Sequence, residues 1–418
     1  VSRFKLPIID HFLVTDRIIF ADHFNPTIFI LSPLYWLTEK SEIILIAQTI
    51  LVGPSGLIIF FIAKKVLNNN FYALCVELIY FLFTGLQNAI ISDFHEVTIG
   101  TFFLSLVFLA VVYKKKLLFF TSLLLFLGIK ETNSVVGLSL AVTIFFIEKP
   151  WRKIAIATTI ISILWGFSAS KFIIPYFSGG FYIYVKDLIY DPFKVIPYLI
   201  DDPEKIKTIF LSFLSFGFLP ILTPSFWPSI FQDYIIRFYA SVSDTRIKLG
   251  LHYNAQIAVI YAISSIYAFS YLKKKLSKKI LNIIALLIIL NAIILYRFIL
   301  HGPLALSYNP QFYKHSNDFT FLNQLVKKIP KNVIVMTQNN LATRFTHQKV
   351  LFLRSNYYEY KPEYIVLDLR KGQNPNDFFP MKMTEVEKFT MDVLKDKCYE
   401  TIFSTEEQFI YKRKSGCL

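Results

Sequence analysis

Charge is scarce in this chain. Only 17% of its 418 residues are Asp, Glu, Lys or Arg, against roughly a quarter in a soluble domain of this size. Set against 54% hydrophobic residues, that shortage places the chain among polytopic membrane proteins. Cysteine is scarce too: Cys75, Cys398 and Cys417 are too few for a disulfide framework. Cys75 lies in an apolar run, while Cys398 and Cys417 could pair if the tail is extracytoplasmic. No basic start, apolar run and small-residue site follow one another within residues 1–30, so no cleavable signal peptide is expected. The chain begins with Val, so either a start codon has been read literally or an N-terminal span is missing.

What the chain does have is basic residues, with a net charge of +15. They gather at the ends of apolar runs and in a polar tail, so orientation in a bilayer explains them better than nucleic acid does. Lys64-Lys65, Lys114 to Lys116, Lys149 with Arg152-Lys153, and Lys273 to Lys279 mark one side. Loops rich in Lys and Arg stay cytoplasmic. The clusters Asp93-Phe94-His95-Glu96, Lys130-Glu131 and His252-Tyr253 fall at the opposite ends and are expected to converge on the external face.

Three parts are expected. Residues 1–41 form an external lead-in segment in which Thr27 to Leu37, flanked by Pro26 and Pro33, is too short for a crossing of about 20 residues. It reads as an interfacial or re-entrant helix, with Tyr35 and Trp36 at the headgroup level. Residues 42–300 form a transmembrane domain of about ten spans, at 42–63, 71–92, 97–113, 117–129, 132–147, 152–175, 206–221, 225–240, 253–272 and 279–300. The Pro-, Tyr- and Asp-containing loop 176–205 is then external. Residues 301–418 form an extracytoplasmic α/β domain. There, Asp318 to Ile329 has helical periodicity, and Asn332 to Met336, Val350 to Leu353 and Tyr364 to Leu369 read as buried strands. Thr384 to Lys397 reads as an amphipathic helix with Thr384 as its N-cap, and Gln408 to Lys412 as a closing strand. This tail has no Gly-rich phosphate loop, no metal-ligand spacing and no Ser/His/Asp signature. It reads as a recognition or packing domain.

Ionisable residues held at a bilayer edge are costly, and point to function. In Ser92 to Glu96, Asp93 or Glu96 could serve as a general base or bind a divalent cation, and His95 could bind the same cation or a phosphate; the alternative is a solvated turn capping its helices. In Gly128 to Asn133, Lys130 could bind a phosphate while Glu131 acts as a second acid or an orienting partner; the alternative is a plain turn with Lys130 snorkelling outward. Asp22-His23-Phe24-Asn25-Pro26 is either part of the same site or an N-cap followed by Pro. His252-Tyr253 is either substrate-binding or an interface anchor. Glu77 and Asp233 lie inside apolar runs and are read as paired in the bundle, outside the site.

The run from Asp22-His23-Phe24-Asn25-Pro26 through Pro33-Leu34-Tyr35 to Gln48, then Asp93-Phe94-His95 and Lys130-Glu131, resembles the domain of unknown function 2079 family of predicted membrane proteins, over nearly the whole chain. That family is similar to membrane glycosyltransferases of the GT-C fold, which take a sugar from a polyprenyl-phosphate carrier outside the cytoplasm. The resemblance implies an external site with an acid in each of two outer loops. Asp93 or Glu96 matches the second-loop acid. The first-loop acid normally follows a first span that this sequence does not show, and Asp22, Asp16 or Asp10 would have to replace it.

The expectation is therefore a multi-pass protein of the cell membrane that moves a sugar from a polyprenyl-phosphate donor to an envelope acceptor. Asp93, Glu96, Glu131 and Asp22 would be its catalytic acids, with His95, Lys130, His23, His252 and Tyr253 binding substrate. A divalent cation is left open and not demanded. The second reading is a non-catalytic envelope component that docks protein partners through its tail. A transporter ranks last, because the polar clusters gather at one face and not at mid-bilayer.

Overall fold

A computed structural model describes residues 1–10, 16–180, 195–239, 244–303, 318–345, 348–371, 373, 375–405 and 407–417. Residues 181–194 of the expected outer loop 176–205, and residues 304–317 of the tail, lie outside the described residues. The chain divides into two compact units. One comprises residues 20–32 and 44–310; the other comprises residues 1–19, 33–43 and 311–418.

The first unit is helical. In chain order its main helices are α1 (Glu42–Leu67), α2 (Asn70–Leu82), α3 (Thr84–Ile91), α4 (Glu96–Val112), α5 (Lys116–Leu127), α6 (Asn133–Ile147), α7 (Arg152–Ser168), α8 (Pro203–Ser215), α9 (Trp227–Tyr239), α10 (Ala255–Lys273) and α11 (Lys278–Ile294). Asn69 and Ser277 cap α2 and α11, their side-chain oxygens accepting the Tyr72 and Ile280 amides. Among the described residues, four helical stretches are long and apolar enough to cross a membrane: Glu42–Leu67, Lys149–Ser178, Thr245–Lys273 and Lys278–Ile299. A fifth arises if α2 and α3, bent by 53° at Phe83, count as one broken span. Among the described residues, the expected ten spans thus fall on helical stretches of unequal length. Helices α4, α5 and α6 are apolar but have only 17, 12 and 15 residues. At about 1.5 Å per residue, even the longest falls short of a hydrocarbon core of about 30 Å. The 13-residue α8 and α9, expected as spans 206–221 and 225–240, are less apolar than these.

Burial tells the helices apart. In the most apolar stretch of α10, 72% of the residues are buried, against 17% in the helix ending at Ser178. Helix α10 is therefore the central post. Small and hydroxylated residues let neighbours approach it, as where Ser264 meets Thr223 at 2.5 Å. Large apolar side chains point outward from α1 (Ile46, Ile50, Leu57), α7 (Ile156, Ile160, Leu164) and α11 (Ile283, Leu286, Leu290). An apolar exterior over a partly polar interior is what lipid as solvent selects. Glu77 on α2 has no side-chain partner among the described residues, whereas Asp233 is paired with Arg237 at 3.2 Å.

The second unit is α/β. Strands β3 (Ile334–Thr337), β4 (Lys349–Phe352), β5 (Tyr364–Asp368), β6 (Tyr399–Ser404) and β7 (Gln408–Arg413) form one sheet in the order β4-β3-β5-β7-β6. The pairs β3–β4 and β3–β5 are parallel; β5–β7 and β6–β7 are antiparallel. Every residue of β5 is buried, because the sheet is covered on both faces. Ile365 and Leu367 pack toward the helix Met383–Lys395, and Tyr364 and Val366 toward the helix Asp318–Lys327. The first of these helices starts earlier than its sequence suggests. Its N-cap is Lys382, whose amide donates to the Glu385 carboxylate at 2.7 Å, and Thr384 lies inside the first turn. Strand β6 was not expected. The residues before α1 also belong here: a short hairpin, β1 (Ile8–Ile9) with β2 (Arg17–Ile18), carries Asp10, which accepts the Phe352 amide at 3.0 Å and pairs with Arg354. Cys398 and Cys417 are disulfide-bonded, with their Cα atoms 5.5 Å apart. The expected interfacial helix is a 3-10 helix, Pro26–Trp36, with Pro33 inside it. Proline at that position removes an amide donor and keeps regular α-geometry from forming.

Candidate functional site

Four turns of the helical unit carry the polar residues singled out above: 22–27, 92–96, 128–132 and 252–254. The last carbonyls of a helix need partners from outside it, and at the end of α5 those partners come from two neighbouring segments. Thr27 donates its amide to Gly128 O (2.9 Å) and its hydroxyl to Leu125 O (2.8 Å). Asn133 Nδ2 donates to Phe126 O at 2.8 Å. The end of α5 thus pins the segment 22–27 in place. Gly128 is needed for the contact, since a Cβ there would come within 2.3 Å of Thr27 Oγ1. Gly128→Ala is expected to destabilise the unit by about 1–3 kcal/mol through overpacking, and to separate His23 from Glu131. A lowered melting temperature and a changed His23 titration would register both; a silent substitution would mean that the pinning is unimportant.

With the segment pinned, Glu131 uses both carboxylate oxygens. Oε1 accepts His23 Nδ1–H at 3.0 Å and Oε2 accepts the Phe24 amide at 3.2 Å. Its side chain is only 6% exposed. Burial is the largest single influence and opposes charge on both partners, but their hydrogen bond and the surrounding opposite charges together outweigh it. Glu131 therefore titrates below its ordinary 4.5 and His23 above its ordinary 6.5. Stability from the lowered Glu131 is present above 4.5 and is lost as pH falls through its folded value. Stability from the raised His23 is complete below 6.5 and is lost as pH rises through its folded value. The pair contributes most between those two ordinary values. The melting-temperature difference between the parent and His23→Gln should peak there and shrink on either side; a pH-independent difference would show that the pair is not ionic.

Nearby, Lys130 Nζ lies 3.3 Å from Glu96 Oε1, both largely buried. Glu96 opens α4, where a carboxylate suits the positive end of the helix dipole. Gln48, fully buried on α1, fixes the turn before it: Oε1 accepts the His95 amide at 3.1 Å and Nε2 donates to Ile90 O at 3.2 Å. The His95 ring stacks on that of His252, with centroids 3.5 Å apart and planes 17° apart. His95 Nδ1 lies 2.9 Å from Asp93 O. A carbonyl only accepts, so this nitrogen carries the proton and Nε2 is left as the ring's acceptor.

The structure thus joins Glu131 to His23, Lys130 to Glu96 and His95 to His252. Asp22 is half-buried beside them, with Oδ2 at 4.0 Å from His23 Nε2. Asp93 is exposed, and its carboxylate makes no hydrogen bond or ion pair among the described residues; its carbonyl is what the turn uses. Tyr253 contributes its carbonyl, which accepts Arg237 Nη1 at 3.2 Å. Asp10 and Asp16 are held in the α/β unit by Arg354 and Lys349. Among the described residues, no three His, Cys, Asp or Glu side chains come together as a metal-ion site. Gln48 and Gly128, which position the site, were named in the sequence only within the family-like run and the turn Gly128 to Asn133, with no role of their own.

A bundle of apolar helices with ionisable pairs collected in its turns defines a polytopic membrane protein. Residues 10–390 match the family described as Predicted membrane protein (DUF2079), and the chain belongs to that family. No curated protein matches the chain.

Proposed function

We propose that the helical unit is a membrane glycosyltransferase that passes a sugar from a polyprenyl-phosphate carrier to an envelope acceptor on the external face of the cell membrane. The observation that carries this reading is the buried Glu131 carboxylate aligned on His23 Nδ1. A carboxylate that fixes one imidazole nitrogen as a donor leaves the other, Nε2, as a directed base. In the proposed step, the acceptor hydroxyl gives its proton to His23 Nε2 and its oxygen bonds to the anomeric carbon. The bond from that carbon to the carrier phosphate breaks, and the phosphate keeps the electron pair. Lys130 supplies positive charge for the leaving phosphate.

One feature of the helical unit supports an external site. Helix α10, which lies in a stretch long and apolar enough to cross, has one end at the turn 252–254 and the other at Lys273, the arrangement expected when basic ends stay inside. For the α/β unit by itself, the Cys398–Cys417 bond suits an oxidising compartment. The test replaces His23 and Glu131 singly by Gln, and Asp93 by Asn, then profiles envelope glycans and lipid-linked sugars. Loss of a positioned base costs about a hundredfold or more, so the first two variants should accumulate lipid-linked sugar while Asp93→Asn has the smaller effect. Unchanged profiles in H23Q and E131Q at normal protein levels would sink the reading.

A further inference from the structure

The α/β unit exposes large apolar side chains from two segments far apart in sequence: Phe4 (94% exposed), Leu6 (69%) and Ile8 on one side, Trp36 (67%) and Leu37 (79%) on the other. The two segments are fastened to each other. Trp36 Nε1 donates to Ser2 O at 2.6 Å, and Arg3 Nη2 pairs with Glu39 Oε1 at 2.6 Å. Phe4 sits in a tight turn at φ 56°, its amide donating to Val1 O, which displays the ring outward. Solvated proteins rarely leave such a set of residues uncovered.

We infer that Phe4, Leu6, Ile8, Trp36 and Leu37 form one face by which the α/β unit inserts into the headgroup region of the bilayer. This rests on continuity of the chain and is independent of the proposed transferase activity. Leu37 precedes the first residue of α1, Glu42, by five residues, and five residues span at most about 18 Å. Since α1 is long and apolar enough to cross the membrane, the face is tethered within reach of the interface, whose headgroup layer is only about 5–8 Å deep on each side. The residue types fit that layer. Tryptophan prefers it, and the exposed Lys5 and Lys40 suit lipid phosphates beside an apolar wedge.

The test uses the full chain in vesicles of phosphatidylcholine and phosphatidylglycerol. Cys75 is buried and Cys398 is bonded to Cys417, so a cysteine introduced at the surface offers the one reactive thiol. Phe4→Cys, Leu6→Cys and Leu37→Cys, each spin-labelled, should lose access to a water-soluble nickel complex and gain access to oxygen. Leu394→Cys, at an exposed apolar position on the helix Met383–Lys395, should stay open to nickel. Nickel access at all four positions would overturn the inference, and so would lipid-like behaviour at all four, since no particular face would then be in the bilayer. In a chain carrying Phe4→Asp and Leu6→Asp, the label at position 37 should regain nickel access; an unchanged label there would overturn the composite face.

Discussion

Glu131→Ala should be the most damaging single substitution in the helical unit, costing about 3 kcal/mol of stability, because removing one partner of a buried pair strands the others. His23 Nδ1–H and the Phe24 amide would both lose their acceptor, and Lys130 would lose one of the two carboxylates that balance it. A loss of that size is a large fraction of the total for any domain. Glu131→Gln separates packing from charge. It keeps the volume and one acceptor oxygen, so its stability loss should be nearer 1 kcal/mol, yet it offers no negative charge to the imidazolium that forms when His23 Nε2 takes the proton, and should lose transfer activity as completely as Glu131→Ala. Unfolding midpoints in detergent, read beside product formation, distinguish the two effects. If Glu131→Gln leaves turnover intact, His23 is not the base.

The second large effect belongs to the α/β unit. Cys398 stands just before β6 and Cys417 just after β7, so their bond closes the open end of an antiparallel hairpin across a sequence separation of 19. A closure of that length restricts the unfolded chain by about 3 kcal/mol in the chain-entropy account. Cys398→Ser with Cys417→Ser, or reductant on the parent protein, should therefore lower the unfolding midpoint of the sheet and expose the edge strand β6 to protease first. The helical unit should be spared. If reduction leaves the midpoint and the cleavage pattern unchanged, the bond adds nothing that the Lys414 amide, donating to Cys398 O at 2.9 Å, does not already supply.

The sequence revealed chemistry type better than geometry. Helix positions were legible because lipid-facing helices are apolar over most of their surface: the expected 42–63 is Glu42–Leu67 and the expected 132–147 is Asn133–Ile147. Helix length across the bilayer was not, because a run such as α5 is equally apolar whether it crosses or stops short. The break at Phe83 left no mark, with no proline there and the glycine two residues later. Tyr364 to Leu369 was legible as a strand because burial on both faces makes it continuously apolar. Strand β6, Tyr399–Ser404, is an edge with three successive exposed residues and gives no such run. At the site, the types His, Glu and Lys at helix turns were visible. That His23 would meet Glu131, 108 positions later, was not, since only the folded turns bring them together. The N-cap at Lys382 was missed because the Glu385 carboxylate, not a threonine hydroxyl, makes the capping bond.

The α/β unit is assembled from both ends of the chain, with residues 1–19 and 33–43 folded together with 311–418. A body made this way cannot close until residues 311–418 have followed residues 1–19 and 33–43 out of the ribosome. The same constraint sets the order of biogenesis. The leading residues are made first but have no sheet to join until the final hundred emerge, and so they wait, unpartnered, while every intervening helix is inserted.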